Sequence, residues 1–259
     1  MKYGKLPLHN SEKVIAVGDV HGEWGKLEGL LSQVKPILFE DSKCHLVFCG
    51  DYINRGQDSA RVLVILMALK EEFPDQVYYV RGNHEAMLIS YLRGEATWAT
   101  IVSDTALELA SYWELPDYKI STLARACLSN GVVDFLDNLL PYYESDRVIC
   151  THAPLDRITC KMFGLRDSKL EDLKGDEPNE NFILDSMWSE IMWLFSTEDP
   201  KLSRIPEIDK FLFCGHQYKH HNSPRLFRNR AFIDTGCGNG VVRPLTAMMY
   251  PEKKVFQQR

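Results

Sequence analysis

Six short apolar runs alternate along the chain with longer segments of helical periodicity. They are rich in Val, Ile, Phe, Tyr and Cys, and continuous apolar runs of this length are typical of strands buried on both faces. The runs are "KVIAVGD" (13–19), "HLVFCGD" (45–51), "VYYVRGNH" (77–84), "RVICTHA" (147–153), "FLFCGH" (211–216) and "AFIDTG" (231–236). Five of the six end in, or closely precede, an Asp, Asn or His. The pattern therefore predicts strands with polar side chains at their carboxyl ends.

The segments between the runs have the periodicity of amphipathic helices. Residues 23–34 place large apolar side chains on one face, and residues 57–73 form a long stretch without Gly or Pro. Residues 121–140 have the pattern of two helices separated at Asn130-Gly131. Alternating strands and helices predict an α/β fold, in which functional residues gather in loops at the carboxyl ends of strands.

The rest of the chain is interpreted as part of the same single domain, 1–259. Residues 165–208 begin with a charged, turn-rich stretch and continue with an apolar patch. We interpret this part of the chain, about 155–208, as a variable insertion or lid. The sequence from Pro244 onward predicts a hairpin that turns at Pro251-Glu252.

The composition indicates which partners and which cellular compartment are expected. The 259 residues are 45% hydrophobic and 25% charged, and the net charge of −6 argues against a nucleic-acid partner, which basic surface would bind. No apolar run approaches the roughly 18 residues of a membrane span, and the N-terminus lacks the apolar core of a signal peptide. The seven cysteines are odd in number and form no Cys-x-x-Cys pair, which favours free thiols in a reducing cytoplasm.

The polar residues at the strand ends form a set of potential metal ligands. They are Asp19, His21, Asp51, Asn83, His84, His152 and His216. Taken singly, each has an ordinary interpretation as a turn residue or a semi-buried histidine. Together they place a ligand type at the same structural position in five separate loops, which favours a shared site. Oxygen and imidazole ligands suit Mn, Fe or Zn, and two ions about 3.5–4 Å apart need one carboxylate to bridge them.

Six sequence blocks contain these residues. They are "GDVHG" (18–22), "GDYINRG" (50–56), "RGNHE" (81–85), "THAPL" (151–155), "FCGHQ" (213–217) and "IDTGCGNG" (233–240). In this order and spacing they resemble the phosphoprotein phosphatase branch of the calcineurin-like metallophosphoesterases. The resemblance runs from about residue 13 to residue 250 and is weak over 155–208. It implies an α/β fold in which a β-sandwich is flanked by helices (α/β/β/α).

The resemblance also implies a centre of two divalent metal ions, with Mn the foremost candidate and Fe, Zn, Ni or Co as alternatives. The implied ligands are Asp19 and His21 for the first ion, Asp51 as the bridge, and Asn83, His152 and His216 for the second ion.

Residues beside the metals carry the implied chemistry. Arg55 and Asn83 would bind the substrate phosphate, and His84 would stand beside the leaving oxygen as the general acid. A guanidinium matches phosphate geometry, and an imidazole suits proton transfer at physiological pH. The expected reaction is direct in-line attack by a metal-bridging hydroxide, without a phosphoenzyme. Arg81 is interpreted as structural, and Glu85 as a residue that caps or orients the following helix.

The sequence departs from the family pattern at Asn54. The block usually reads Gly-Asp-x-x-Asp-Arg-Gly, and its second acid normally accepts a hydrogen bond from the general-acid histidine. With an amide at position 54, we expect His84 to hold its proton less firmly than in typical relatives; alternatively, another group orients His84 and Asn54 matters little. The second phosphate-binding arginine that the family implies has three candidates, Arg157, Arg166 and Arg204.

Three functions stay open. The first is a phosphatase of phosphoserine and phosphothreonine proteins, with phosphotyrosine as a further substrate, and "GNHE" and the compact length favour it. The second is a symmetric diadenosine tetraphosphate hydrolase, whose bacterial members also lack the second acid of the block around Asn54. The third is a catalytically inert metal-binding scaffold, which the intact ligand set disfavours. We expect a monomer whose partner is a phosphorylated protein or a small phosphoester.

Overall fold

The computed structural model describes residues 8–94, 99–154, 210–218, 222–240 and 242–259. The strands are β1 (Lys13–Val17), β2 (Cys44–Phe48), β3 (Val77–Tyr79), β4 (Tyr143–Glu144), β5 (Val148–Thr151), β6 (Phe211–Cys214), β7 (Arg225–Leu226), β8 (Arg230–Phe232), β9 (Leu245–Tyr250) and β10 (Lys254–Gln258). The helices are α1 (Trp24–Glu40), α2 (Ser59–Glu72), α3 (Asn83–Leu92), α4 (Ala99–Tyr112), α5 (Ile120–Ser129) and α6 (Val132–Asp137).

The strands form two mixed sheets of five strands each. Their orders are β10-β9-β1-β2-β3 and β4-β5-β6-β8-β7. The neighbours β1, β2 and β3 are parallel in the first sheet, and β5, β6 and β8 are parallel in the second. Each of the six apolar runs supplies one of these parallel strands, which confirms the strand prediction and brings the polar carboxyl ends of each trio to one edge.

Residues of β1 show how both faces of a strand become buried. Ile15 and Val17 pack into a core shared with the helices, whereas Val14 and Ala16 pack into a second core between the two sheets. This alternation explains why residues 14–17 of the strand are all apolar, rather than only every second residue. The predicted α/β sandwich with flanking helices is confirmed.

Most predicted boundaries are close to those observed. α1 continues past Pro36 to Glu40, because Leu38 still packs into the core. The predicted break between two helices is confirmed at Gly131, whose φ of 74° ends α5 and starts α6. The C-terminal hairpin of β9 and β10 is also confirmed. The proposed insertion at about 155–208, with Arg157, Arg166 and Arg204, falls outside the described residues, so the single-domain assignment remains a prediction.

The cysteines that the structure describes are all free and buried, which agrees with the expected free thiols. Among the helices that the structure describes, none combines the length and the hydropathy needed to cross a bilayer.

Candidate metal centre

The seven strand-end polar residues lie together in the folded chain. They follow β1, β2, β5 and β6 or open α3, and they are Asp19, His21, Asp51, Asn83, His84, His152 and His216. Six are buried and His216 is half-buried. Burying so many polar side chains is unfavourable unless something pairs with them, so their mutual geometry indicates what the site can hold.

The backbone around this cluster is tightly turned. His21, Asp51 and His216 have φ values of 46°, 55° and 59°, a region that non-glycine residues rarely adopt. Glycine is required where the turns approach each other: a Cβ on Gly82 would lie 2.3 Å from Asp51 Oδ1, and one on Gly215 would lie 2.3 Å from an Asp19 oxygen. Strained residues of this kind persist where the surroundings hold them, and they concentrate at functional sites.

His21 offers an unsatisfied ligand atom to two carboxylates. Its Nδ1 atom donates a hydrogen bond to the Ile53 carbonyl at 2.9 Å, so its Nε2 atom carries the lone pair. That Nε2 atom is buried without a hydrogen-bond partner, yet it lies 3.6 Å from Asp51 Oδ2 and 3.8 Å from Asp19 Oδ2. Atoms at these separations can share one cation, because zinc-type ions lie about 2.0–2.2 Å from nitrogen and oxygen ligands.

A second group forms around His152. Its Nδ1 atom donates to the Cys49 carbonyl at 2.8 Å, which leaves the Nε2 lone pair directed into the site. This Nε2 atom lies 2.9 Å from Asn83 Oδ1, 3.0 Å from His216 Nδ1 and 3.4 Å from Asp51 Oδ1. A nitrogen lone pair and an amide oxygen facing each other are both acceptors, and a cation between them would satisfy both.

Asp51 belongs to both groups. Its Oδ2 atom faces His21 and His84, and its Oδ1 atom faces His152. Two sets of potential metal ligands therefore share this one carboxylate, the first with His21 and His84 and the second with His152 and His216, and within each set the ligand atoms lie within 4.8 Å of one another. The residues thus fit a pair of metal ions with a bridging carboxylate.

Protonation states in the cluster suit cations. Burial lowers the pKa of His21 and of His152 well below the usual value, so both imidazoles are neutral at pH 7 and able to ligate. Burial also raises the pKa of Asp19, with the carboxylates of Asp234 and Asp51 adding to the effect. The short His–Asp distances are therefore not ion pairs. The nearby Arg55 charge does not offset the burial of Asp19 and Asp51, and a metal would supply further positive charge.

The residues expected to act on substrate lie in this cluster or at its edge. His84 Nδ1 and Asn54 Oδ1 are 2.9 Å apart, so the amide does orient the imidazole. Burial lowers the pKa of His84 to about 3, and the Arg55 guanidinium and His216 contribute. The exposed Arg55 donates from Nη1 to Asn239 Oδ1 at 3.3 Å. Asn239 comes from the sequence block "IDTGCGNG", to which sequence reasoning assigned no individual role.

Two further buried carboxylates, Glu85 and Asp234, stabilise the backbone around the site. Glu85 accepts from the backbone N–H of Gly82 at the start of α3, as its interpretation as a capping residue predicts, and also from those of Asp51 and Tyr52. It therefore fixes the loop that carries the shared carboxylate. Asp234 accepts from the backbone N–H of Gly236, and burial raises its pKa to about 6. The spacing of the blocks gives no signal for the long-range contacts of Glu85 with Asp51 and Tyr52.

Arg81 behaves as its structural interpretation predicts. Its Nη2 atom donates to the carbonyls of Leu136 and Asp137 at the end of α6, at 2.9 and 3.2 Å. Cationic donors stabilise the carbonyl end of a helix, so Arg81 ties α6 to the segment that leads into α3.

Comparisons with known proteins agree with this architecture. The serine/threonine-protein phosphatase SIT4 of Candida albicans (strain SC5314 / ATCC MYA-2876) is 26% identical over 179 residues, which are 68% of this chain and 49% of that protein. The chain thus spans about half the length of this curated relative.

Two solved structures share the fold over most of their length. A candidate diadenosine tetraphosphatase matches with a TM-score of 0.56 and 20% identity, covering 97% of this chain and 95% of that one. A protein serine/threonine phosphatase from Saccharomyces cerevisiae, with similarity to human phosphatase PP5, matches with a TM-score of 0.58 and 13% identity, covering 96% and 80%.

The family comparison covers the whole candidate metal centre. The sequence model described as calcineurin-like phosphoesterase matches residues 12–239, which include every residue of the two ligand groups. The chain therefore belongs to the calcineurin-like phosphoesterase family.

Proposed function

We propose that this chain is a dinuclear-metal phosphoesterase that hydrolyses phosphoserine and phosphothreonine monoesters. The observation that carries the proposal is Asp51, whose two oxygens face two separate groups of buried ligands. Asp19 and His21 would hold one ion with Asp51, and Asn83, His152 and His216 would hold the other. When bound, two divalent ions, with Mn foremost, supply charge neutralisation and a hydroxide nucleophile at neutral pH.

Arg55 would bind the substrate phosphate. Its guanidinium is exposed at the edge of the buried cluster, and the Asn239 amide oxygen holds one of its amino groups. The remaining donors can pair with two phosphate oxygens, as planar guanidinium groups do in other phosphate sites. Asn83, whose Oδ1 atom lies 2.9 Å from His152 Nε2 in the second ligand group, would bind the phosphate together with Arg55.

His84 would donate the proton to the leaving oxygen. Its Nδ1 side contacts Asn54, so its Nε2 atom, 3.8 Å from Asp51 Oδ2, is the one that faces the site. Burial keeps the imidazole pKa low, and the negative charge of a bound phosphate ester opposes this effect by favouring the imidazolium. The proton is thus held where the leaving alkoxide develops charge.

Diadenosine tetraphosphate hydrolysis is the second candidate. Asn54 favours it, because the bacterial hydrolases that the sequence resembles also lack an acid at this position. We further expect a monomer that binds neither nucleic acid nor membrane, and light scattering would give its mass in solution.

A substrate panel tests the proposed function. The purified chain with Mn²⁺ receives phosphoserine, phosphothreonine and phosphotyrosine peptides and diadenosine tetraphosphate at equal concentrations. We expect inorganic phosphate from the first two peptides at the highest kcat/KM. Symmetric cleavage of the dinucleotide as the fastest reaction would select the second candidate, and metal binding without any turnover would indicate an inert scaffold. Asp51→Asn protein, purified in parallel, detects contaminating phosphatase.

Asn54→Asp is expected to extend the pH range of activity upward. A carboxylate in contact with His84 Nδ1 favours the imidazolium, and an opposite charge within about 4–6 Å raises a histidine pKa by roughly 1–3 units. Since a raised pKa keeps His84 protonated to higher pH, the alkaline limb of kcat should move up by about one pH unit. An unchanged alkaline limb of the kcat–pH profile would mean that Asn54 only orients the His84 ring. Asn239→Asp, which adds a negative charge beside Arg55 instead of beside His84, is the control for the effect of an added charge in the site.

A further inference from the structure

One strained turn carries three parts of the proposed catalytic site. The Ile53 carbonyl fixes the ring of His21, the Asn54 side chain contacts His84, and Arg55 presents its guanidinium. Asn54 and Arg55 have φ values of 68° and 69°. Two successive non-glycine residues in this region are unfavourable and persist only where the surroundings fix them, so what anchors the turn controls all three parts together.

Ser59 anchors this turn. Its Oγ atom accepts the backbone N–H of Asn54 at 2.9 Å, and both residues are buried. Ser59 is the first residue of α2, so it is itself fixed to a rigid element. Gly22 packs against the same hydroxyl, where a Cβ would lie 3.2 Å from Oγ, which leaves little room for the turn to shift.

Helix α4 supports Ser59 from outside the two sheets. Glu108 Oε2 accepts the backbone N–H of Ser59 at 2.6 Å, and the Thr105 hydroxyl, which is buried, donates to Ser59 Oγ at 3.3 Å. The first N–H groups of a helix have no partner within the helix, and Asp58 already satisfies the N–H of Arg61. Glu108 therefore completes the start of α2 at the residue that holds the turn.

We propose that Glu108 is a positioning residue for the catalytic turn, acting through Ser59 on Asn54 and Arg55. The inference rests on the proposed function of that turn. Nothing in the chemistry of phosphate transfer requires a carboxylate at Glu108, which lies on a different helix from every proposed ligand. Its effect is to keep His84 and Arg55 in their working orientation, so its loss lowers kcat and raises KM together without removing a reacting group.

The experiment compares Glu108→Ala, Glu108→Gln and Ser59→Ala with wild-type protein. The first readout is amide hydrogen exchange at Asn54 without metal or substrate, which does not depend on catalysis. We expect exchange at Asn54 to accelerate at least about tenfold in Glu108→Ala and Ser59→Ala, whereas Glu108→Gln, which keeps an acceptor oxygen, stays near wild type. The second readout is hydrolysis of a phosphoserine peptide with Mn²⁺, where kcat should fall and KM should rise several-fold in the same two variants.

Glu114→Gln is the matched control, because it removes a negative charge from an exposed residue just beyond the end of the same helix. It should leave both readouts unchanged. If Glu108→Ala does not fold, Ser59→Ala decides the result. Wild-type exchange at Asn54 in the folded variants would overturn the proposal, and so would accelerated exchange with unchanged kcat and KM. A wild-type protein that hydrolyses no phosphoester would refute the proposed function, while the exchange data would still report on the anchor.

Discussion

Asp51→Asn is expected to abolish turnover together with the thermal stabilisation that Mn²⁺ gives the wild-type protein. The carboxylate is fully enclosed between the two ligand groups, and an amide oxygen cannot neutralise and bridge two cations. Scanning calorimetry with and without Mn²⁺, and metal content after dialysis, check this. A ligand that binds only the folded state stabilises it by about 2.7 kcal/mol at a concentration one hundred times its Kd, so the wild-type shift should be readily measured.

Without metal, we expect Asp51→Asn to be at least as stable to heat as the wild-type protein. Burial, with the nearby Glu85 carboxylate, raises the pKa of Asp51 above its unfolded value, so the ionised group destabilises the fold at pH above that raised pKa. Removing its charge relieves this cost, and metal-free Asp51→Asn should melt at or above the temperature of metal-free wild type. The exposed Asp75→Asn is a matched control that should behave as wild type. An Mn²⁺-dependent shift in Asp51→Asn equal to that of wild type would contradict the bridging role.

The strands could be predicted because their signal is local. Residues 14–17, for example, are apolar at every position, and the polar residues at or near the ends of the runs mark the carboxyl edge of a parallel trio. The start of α3 shows the limit of this reasoning. The run at 77–84 predicts a strand followed by polar residues in a loop, whereas β3 stops at Tyr79 and Asn83 is already the first residue of α3. The capping contact of Glu85 with the Gly82 N–H, close in sequence but conditional on the turn, decides that change.

Residues that position the site could not be predicted in the same way. Glu85 reaches the backbone of Asp51, and Glu108 reaches that of Ser59, across 34 and 49 positions of sequence. Neither contact produces a periodic pattern in the sequence, because each depends on how α3 or α4 packs beside the first sheet. Sequence blocks therefore point to side chains that face the substrate, while the groups that hold them in place emerge from the fold.

His84→Asn is expected to lower turnover by about 10²–10⁴-fold while leaving the Mn²⁺-dependent thermal shift in place. The backbone N–H of His84 donates to Asp51 Oδ1 at 3.1 Å, and this contact survives a side-chain replacement, so the shared carboxylate stays oriented. The imidazole is the group that would be lost, and the proposed mechanism uses it only to protonate the leaving oxygen.

Substrates with different leaving groups distinguish proton donation by His84 from a merely structural role. A serine alkoxide is strongly basic and needs the proton, whereas p-nitrophenolate leaves as a stable anion and needs it far less. The loss in kcat for His84→Asn should therefore be large with a phosphoserine peptide and much smaller with p-nitrophenyl phosphate. Equal losses in kcat with both substrates would mean that His84 holds the metal centre together instead. If the Mn²⁺-dependent thermal shift were lost, His84 would be a metal ligand beside His21, whose ring it contacts edge-on at 4.9 Å between ring centres.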